Sequence, residues 1–365
     1  MIVHEWTAAA SDPVQEGRAY GDVWRPQLRA SLSAYLDLFA QSAIPTAVAL
    51  DVADGCRLMT EEHAPEIAAE MRGMAEGSGL SLLEVYLLAA RTEVLARSPQ
   101  GGECSTIVDL SDPSAPPRTL QTWDWHETLS NETVVRRLTS TSGARVVTFS
   151  EFGQPAKIGV NDRGVGLHFN ILHHTSDGDS AGVPVHVLAR MILDRAHDLD
   201  DAIALAERTP CSASSVLTVV TFDGAVGDAA SIEVAPAGVA VIRPCAHGTL
   251  VHTNHFLDPV LAAGEYAPYV STTVERFRCL SDAAASAQLP DAFARARAFG
   301  AIPDAPITVR PRADMPAHTR WETKLTVALD VESAAVEFAA RAPADVEAED
   351  WRRVTVEERT ADTAG

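Results

Sequence analysis

Cysteine is scarce and scattered: five in 365 residues (Cys56, Cys104, Cys211, Cys245 and Cys279), with no CxxC pair. An odd, widely spaced set argues against a disulfide framework or a zinc ribbon and fits a reducing cytoplasm. Net positive charge is also missing. The formal charge of −21 argues against nucleic acid or an anionic membrane surface as a partner. An acidic surface also serves solubility, so the charge identifies no substrate. No apolar run reaches membrane-spanning length, and the start, MIVHEWTAAASDPVQEG, lacks a basic head followed by an apolar block. Neither a transmembrane helix nor a signal peptide is expected. There is no GxGxxG after a strand and no GxxxxGK[ST], so nucleotide-binding readings lose support. No His-Glu-x-x-His helix exists. His252 and His255, three apart on an expected strand, would point to opposite faces, so neither they nor His173-His174 make a metal site; no metal and no cofactor are expected.

The chain does carry a change of character near residue 101. Before it the pattern is helical. Apolar residues recur at helical spacing from about Gly17 to Ala43, with Pro26 placed to kink the run and Pro45 to end it. A second helix is predicted from Glu61 to Glu76, closed by Gly77 and Gly79. Ser81-Leu82-Leu83-Glu84 has the form of a capping box and predicts a third helix to about Ala96. After residue 101 the period becomes two. Strands are expected at 105–110, 118–123, 134–140, 144–150, 157–160 and 164–172, then two helices at 184–196 and 199–208. Strands return at 215–222, 229–234, 239–243 and 250–253. Helices follow near 271–287 and 291–299, and strands near 323–329 and 335–340, before an acidic tail expected to fray. No internal repeat is present. Strands grouped before and after a helical pair, with helices at both ends, predict an α+β fold of two antiparallel sheets covered by helices.

At the seam sits Cys104, after the turn-prone Ser98-Pro99-Gln100-Gly101-Gly102 and before the β-rich Ser105-Thr106-Ile107-Val108. If the bond before it were cut, the sulfur would carry its own base. An α-amine has a reference pKa of ~7.7–8.0, so a useful fraction is free near neutrality. A thiol paired with an N-terminal amine is one form of activated nucleophile. Taken locally, a small buried hydrophobe is the commoner fate of a free cysteine, and both readings stand. Asp124, between Trp123 and Trp125, lies where the next strand would return to Cys104; a strand-end turn aspartate is the plainer reading. Asn170 and Asn254 both close expected strands. An amide N–H aimed at a developing oxyanion is worth about 2.7–4 kcal/mol, but asparagine at a strand end is commonly turn chemistry. Arg320, beside Trp321, is a candidate to bind a carboxylate bidentately or a surface arginine stacked on the indole. A conventional Cys–His hydrolase is also open, although Cys104 lacks the local signature of the papain-like enzymes.

Taken together, these positions resemble the penicillin acyltransferase family (isopenicillin N acyltransferase and acyl-CoA:6-aminopenicillanate acyltransferase-like proteins) of the N-terminal nucleophile hydrolases. The likeness runs through Met71-Arg72-Gly73-Met74-Ala75, Arg91-Thr92-Glu93, Glu103-Cys104-Ser105-Thr106 and Gln121-Thr122-Trp123-Asp124-Trp125. It continues through Ile158-Gly159-Val160-Asn161, Gly164-Val165-Gly166, Gly182-Val183-Pro184, Val251-His252-Thr253-Asn254-His255 and Thr319-Arg320. The resemblance implies a four-layer αββα sandwich. It implies self-cleavage at Glu103–Cys104 into a helical pro-segment, 1–103, and a catalytic core, 104–365, which remain associated as one integrated domain. Cys104 would attack a small-molecule acyl donor, with acyl-CoA a candidate co-substrate, and pass the acyl group to an amine or to water. Asn254 would be an oxyanion-hole donor, Asp124 and Arg320 would hold the nucleophile and its amine, and Asn170 would sit near the same site. The family commonly has Gly before the cysteine; this chain has Glu103, and Cys104-Ser105 replaces Cys-Thr. Glycine reaches strained conformations cheaply, so an uncleaved, catalytically silent relative that binds acyl or amino-acid-like ligands is the alternative.

Overall fold

A computed structural model describes residues 1–98, 103–266, 271–316 and 319–357. The approach loop at 99–102 and the end of the acidic tail lie outside the described residues.

Residues 1–98 form β1 (Ile2–Thr7) and six helices: α1 (Pro13–Val23), α2 (Arg25–Gln41), α3 (Thr46–His63), α4 (Pro65–Ser78), α5 (Leu82–Ala89) and α6 (Arg91–Leu95). The long helix expected to kink at Pro26 is instead broken at Trp24, and Pro26 occupies the first turn of α2, where its missing N–H costs nothing. Pro65 likewise opens α4, and Gly79 closes it in the left-handed region at φ +68°. The capping box is present: the Ser81 hydroxyl accepts from the Glu84 N–H at 3.3 Å, while Glu84 accepts from the Ser81 N–H at 2.7 Å. Helices α1 and α4 touch backbone to backbone through glycines. A Cβ on Gly17 would lie 1.9 Å from the Glu70 carbonyl oxygen, and one on Gly73 would lie 2.1 Å from that of Val14.

The rest of the chain gives β2 (Glu103–Asp109), β3 (Arg118–His126), β4 (Glu132–Thr139), β5 (Arg145–Glu151), β6 (Ile158–Asn161) and β7 (Val165–Ile171). Helices α7 (Val185–Arg195) and α8 (Leu199–Arg208) lead into β8 (Ser215–Phe222), β9 (Gly227–Ala235), β10 (Gly238–Ile242) and β11 (Thr249–His252). Then come α9 (Pro259–Ala262), α10 (Thr273–Asp282), α11 (Ala284–Ala287), α12 (Ala292–Gly300), β12 (Trp321–Asp330), β13 (Ala335–Ala339) and β14 (Arg352–Thr355). One sheet runs β1-β4-β5-β6-β7-β8-β9-β10 and the other β11-β2-β3-β12-β13-β14. Among the described residues every strand pairing is antiparallel except β1 with β4. Strands β2, β12 and β13 pack on β5, β6 and β7, so the sheets lie face to face. Helices α7 and α8 cover one outer face, and α10, α11 and α12 the other. This is the four-layer αββα sandwich. Two strands are additions to the expected set: β1, and β14 in the acidic tail, which pairs with β13 rather than fraying.

Buried ion pairs tie the N-terminal helices to β4, β5 and α7. Glu70 of α4 receives Arg136 of β4 at 2.6 Å and Arg190 of α7 at 2.9 Å. Both cations hold its carboxyl down to about 2 against the upward push of burial. Arg91 of α6 reaches Glu151 at the end of β5 at 2.5 Å, and Lys157 meets the same oxygen at 3.0 Å. Tyr35 of α2 donates to the other Glu151 oxygen.

Candidate active site

Cys104 is the second residue of β2, hydrogen-bonded on one side to β3 and, further along the strand, to β11. Its register partner is Trp123, and Glu103 faces Asp124. Cys104 as a residue is 2% exposed. Burial above all, then the Asp124 carboxylate, pushes the thiol up to about 12, against opposing effects from Lys157, the Asp124 backbone N–H and Arg276. In the continuous chain this sulfur is a neutral, poor nucleophile.

Its backbone is gripped. The Cys104 N–H donates to Asn254 Oδ1 at 2.8 Å, and Arg276 donates to the same oxygen at 2.9 Å. A second Arg276 nitrogen donates to the Cys104 carbonyl at 2.6 Å and to Ser105 Oγ at 3.0 Å. Asn254 lies two residues past the end of β11. Its own Nδ2 donates to the Ile171 carbonyl at 2.8 Å. With two donors facing one end of the amide and a carbonyl facing the other, the orientation is fixed by its neighbours. The expected oxyanion donor is thus committed, and Asn254 meets Cys104 through its oxygen.

Asn170, near the end of β7 in the opposite sheet, joins three strands. Its oxygen accepts from Thr106 Oγ1 and Gln121 Nε2, each at 2.8 Å. Its Nδ2 reaches the carbonyls of Cys104, His252 and Thr253 at 3.3, 3.2 and 3.1 Å. Gln121, the first residue of the Gln-Thr-Trp-Asp-Trp motif, is therefore a clamp on Asn170. Asp124 lies within β3 rather than at its end and is fully buried. Burial raises its carboxyl to about 7, opposed by the Arg276 charge and by Thr323. Beneath the strand, Lys157 Nζ sits 3.7 Å from the centre of the Trp123 ring and Arg91 lies over Trp125 at 4.1 Å. Desolvation lowers Lys157 to about 7.

Arg320 is not brought into this cluster. Its guanidinium donates to the carbonyls of Met315 at 2.8 Å and Ala313 at 3.0 Å, with Glu127 at 3.5 Å. Lying just before β12, it is set three positions along the sheet from Thr323, the register partner of Asp124. The cation hydrogen-bonded to the Cys104 backbone is Arg276, which sequence reasoning missed. A signal was available: Arg276 falls on the same stripe of α10 as Thr273 and Leu280, the helix's other buried residues. Among the described residues no three His, Cys, Asp or Glu side chains converge as metal ligands, and no single helix is long and apolar enough to cross a membrane.

Two stacked, mostly antiparallel sheets flanked by helices are the αββα fold of the N-terminal nucleophile hydrolases. The profile of the family described as acyl-coenzyme A:6-aminopenicillanic acid acyl-transferase matches residues 116–296, and over that stretch the chain is similar to that family. A curated relative, the acyl-coenzyme A:6-aminopenicillanic-acid-acyltransferase 40 kDa form of Emericella nidulans, is 25% identical over 194 residues. That alignment covers 53% of this chain and 52% of the relative, so the chain spans about half the length of the curated relative it matches. Among solved structures, the penicillin V acylase of Agrobacterium tumefaciens aligns at 18% identity and a TM-score of 0.44, over 65% of this chain and 83% of that one. The conjugated bile acid hydrolase of Clostridium perfringens aligns at 11% and 0.43, over 69% and 92%.

Proposed function

We propose that the protein is a self-cleaving cysteine acyltransferase or amidohydrolase that forms or breaks an amide bond of a small N-acylated compound through an acyl-Cys104 intermediate. In maturation Cys104 Sγ would attack the Glu103 carbonyl carbon. The thioester forms as the Glu103–Cys104 peptide bond breaks, and the thiol proton ends on the departing nitrogen, now the α-amine of Cys104. Water then hydrolyses the thioester, leaving fragments 1–103 and 104–365 with a free thiol. In turnover that amine would take the thiol proton while Sγ attacks the acyl donor, an amide or a thioester such as acyl-CoA. The leaving group departs with the proton, and the acyl group passes to an amine or to water.

The observation that carries this reading is the hydrogen bond from the Cys104 N–H to Asn254 Oδ1. It holds the nitrogen that would become the general base, and Arg276 fixes the same asparagine and the adjoining carbonyl. Asn170 locks the strand from the other sheet, and Asp124 adds a buried carboxylate facing Glu103 in register. In this reading Arg276, rather than Arg320, positions the nucleophile. The ion pairs of Glu70 and Glu151 would keep the two fragments together. Penicillin chemistry does not follow, since fold does not fix substrate.

A second reading, an uncut and silent relative binding acyl or amino-acid-like ligands, is favoured by the burial of the sulfur and by Glu103 in place of glycine. Intact mass of purified protein separates the two: fragments, one beginning at Cys104, support the first, and a single chain that resists thiol alkylation supports the second.

A further inference from the structure

Glu103 is one of the two positions where this chain departs from the family pattern, and its side chain occupies a built carboxylate site. Ser271 Oγ donates to Glu103 Oε1 at 2.8 Å, and the Thr272 backbone N–H donates to the same oxygen at 3.1 Å. Thr272 Oγ1 donates to Oε2 at 3.0 Å. The fully buried Arg276 guanidinium lies 3.5 Å from Oε1 and is itself braced by Thr272 Oγ1 at 3.1 Å. Two hydroxyls, one backbone N–H at the entry to α10 and one cation thus converge on a single carboxylate.

That carboxylate belongs to the acyl half of the bond to be cut. The carbon attacked in maturation is the Glu103 carbonyl; the carbon attacked in turnover is that of the acyl donor. The same sulfur, held by the same Asn254 and Arg276, reaches both, so a substituent on either carbon meets the same surroundings. Counting from its carbonyl, Glu103 presents a carboxylate on the fifth carbon. We propose that, once cleavage frees Glu103 from β2, Ser271, Thr272 and Arg276 form the acyl-side specificity site, selecting donors of the glutaryl or glutamyl class. This rests on the self-cleavage reading above. In the step selected, the Sγ–acyl bond forms as the acyl–nitrogen bond breaks, the thiol proton reaches the leaving amine through the α-amine, and water releases the dicarboxylate and restores the thiol.

The test uses the mature, cut protein with two chromogenic anilides of matched length, glutaryl-p-nitroanilide and pentanoyl-p-nitroanilide. Wild type should favour the glutaryl substrate by about tenfold or more in kcat/KM, the worth of one hydrogen bond to a charged group. The Ser271→Ala/Thr272→Val variant keeps the Thr272 N–H and Arg276 but loses both hydroxyl donors, and should lower that ratio by about tenfold. Protection of Cys104 from iodoacetamide by glutarate, against pentanoate, gives the same comparison independently of the leaving group: glutarate should protect wild type and fail on the variant. Cut protein with equal rates and no glutarate protection overturns this inference alone, as does a variant that keeps the preference. A chain that never cuts overturns both this and the reading beneath it.

Discussion

Arg276→Ala is the perturbation that most sharply separates the arrangement seen from the one expected. Its guanidinium holds the Cys104 carbonyl, Ser105 Oγ, Asn254 Oδ1 and Thr272 Oγ1 from one buried position. Each such charge-assisted bond is worth about 1.5–3 kcal/mol, but the four act on connected groups and do not add. Their loss leaves Asn254 with a single donor and the strand start free to shift. A displacement of about 1 Å at a reacting centre costs roughly 100-fold, and self-cleavage should slow by that order. Stability should fall by about 2–4 kcal/mol, since an Asn254 lone pair and the Cys104 carbonyl lose a charged donor and Glu103 loses one of its four partners. Arg276→Lys should fall between, because one ammonium cannot span both carbonyl and amide. Arg320→Ala is the control: its partners are loop carbonyls and Glu127, and cleavage should stay within about threefold of wild type. A time course of intact mass measures cleavage, and urea denaturation followed by circular dichroism measures stability. Normal cleavage in Arg276→Ala, or blocked cleavage in a stably folded Arg320→Ala, would refute the reasoning.

Three further outcomes follow from the same geometry. Cys104→Ala should remain uncut with its fold intact, by intact mass and circular dichroism; fragments in that variant would assign the cleavage to another agent. In that uncut background, pH tests Asp124. Its usual value is 3.8 and the fold raises it to about 7, so the folded state binds the extra proton and its contribution to stability declines as pH rises through that window. Glu93, also raised by burial to about 7, acts in the same direction, whereas Lys157, lowered to about 7, adds stability only as pH climbs above 7. Asp124→Asn should therefore gain on its parent between pH 4 and pH 8 by of order 2–4 kcal/mol, and parallel stability curves would contradict the buried carboxyl. Glu70→Ala should cost about 3–5 kcal/mol in urea denaturation by leaving Arg136 and Arg190 without their shared anion; an unchanged midpoint would deny that lock.

The fold was largely legible where periodicity and end signals agreed. The capping box at Ser81, the turns before β3 and β5, and the α7–α8 pair all lie within a few residues of where pattern places them. Buried strands such as β7, with no exposed residue, show no alternation, yet their β-branched and aromatic content and flanking turns marked them. What escaped had weak local signals. β1 is six residues whose partner, β4, lies more than a hundred positions away, and β14 exists because β13 offers an edge to the acidic tail. α3 was missed, as Thr46-Ala-Val-Ala-Leu opens with β-branched residues and no side-chain cap. At the site, Cys104, Asn254 and Asn170 were legible from motif and strand ends. The cation was not. Arg320 sits next to a strand in the right sheet, but its loop supplies carbonyls that hold it, whereas Arg276 reaches Cys104 from a helix packed across β2.

The central claim is that a cut before one sulfur converts an inert thiol into a nucleophile. It is tested most directly by intact mass and N-terminal determination on the purified protein, followed by mapping of iodoacetamide-modified cysteines. Two co-eluting fragments, the second beginning at Cys104 and alkylated there, are the predicted result. A single chain in which exposed Cys245 is labelled and Cys104 is not would contradict the account.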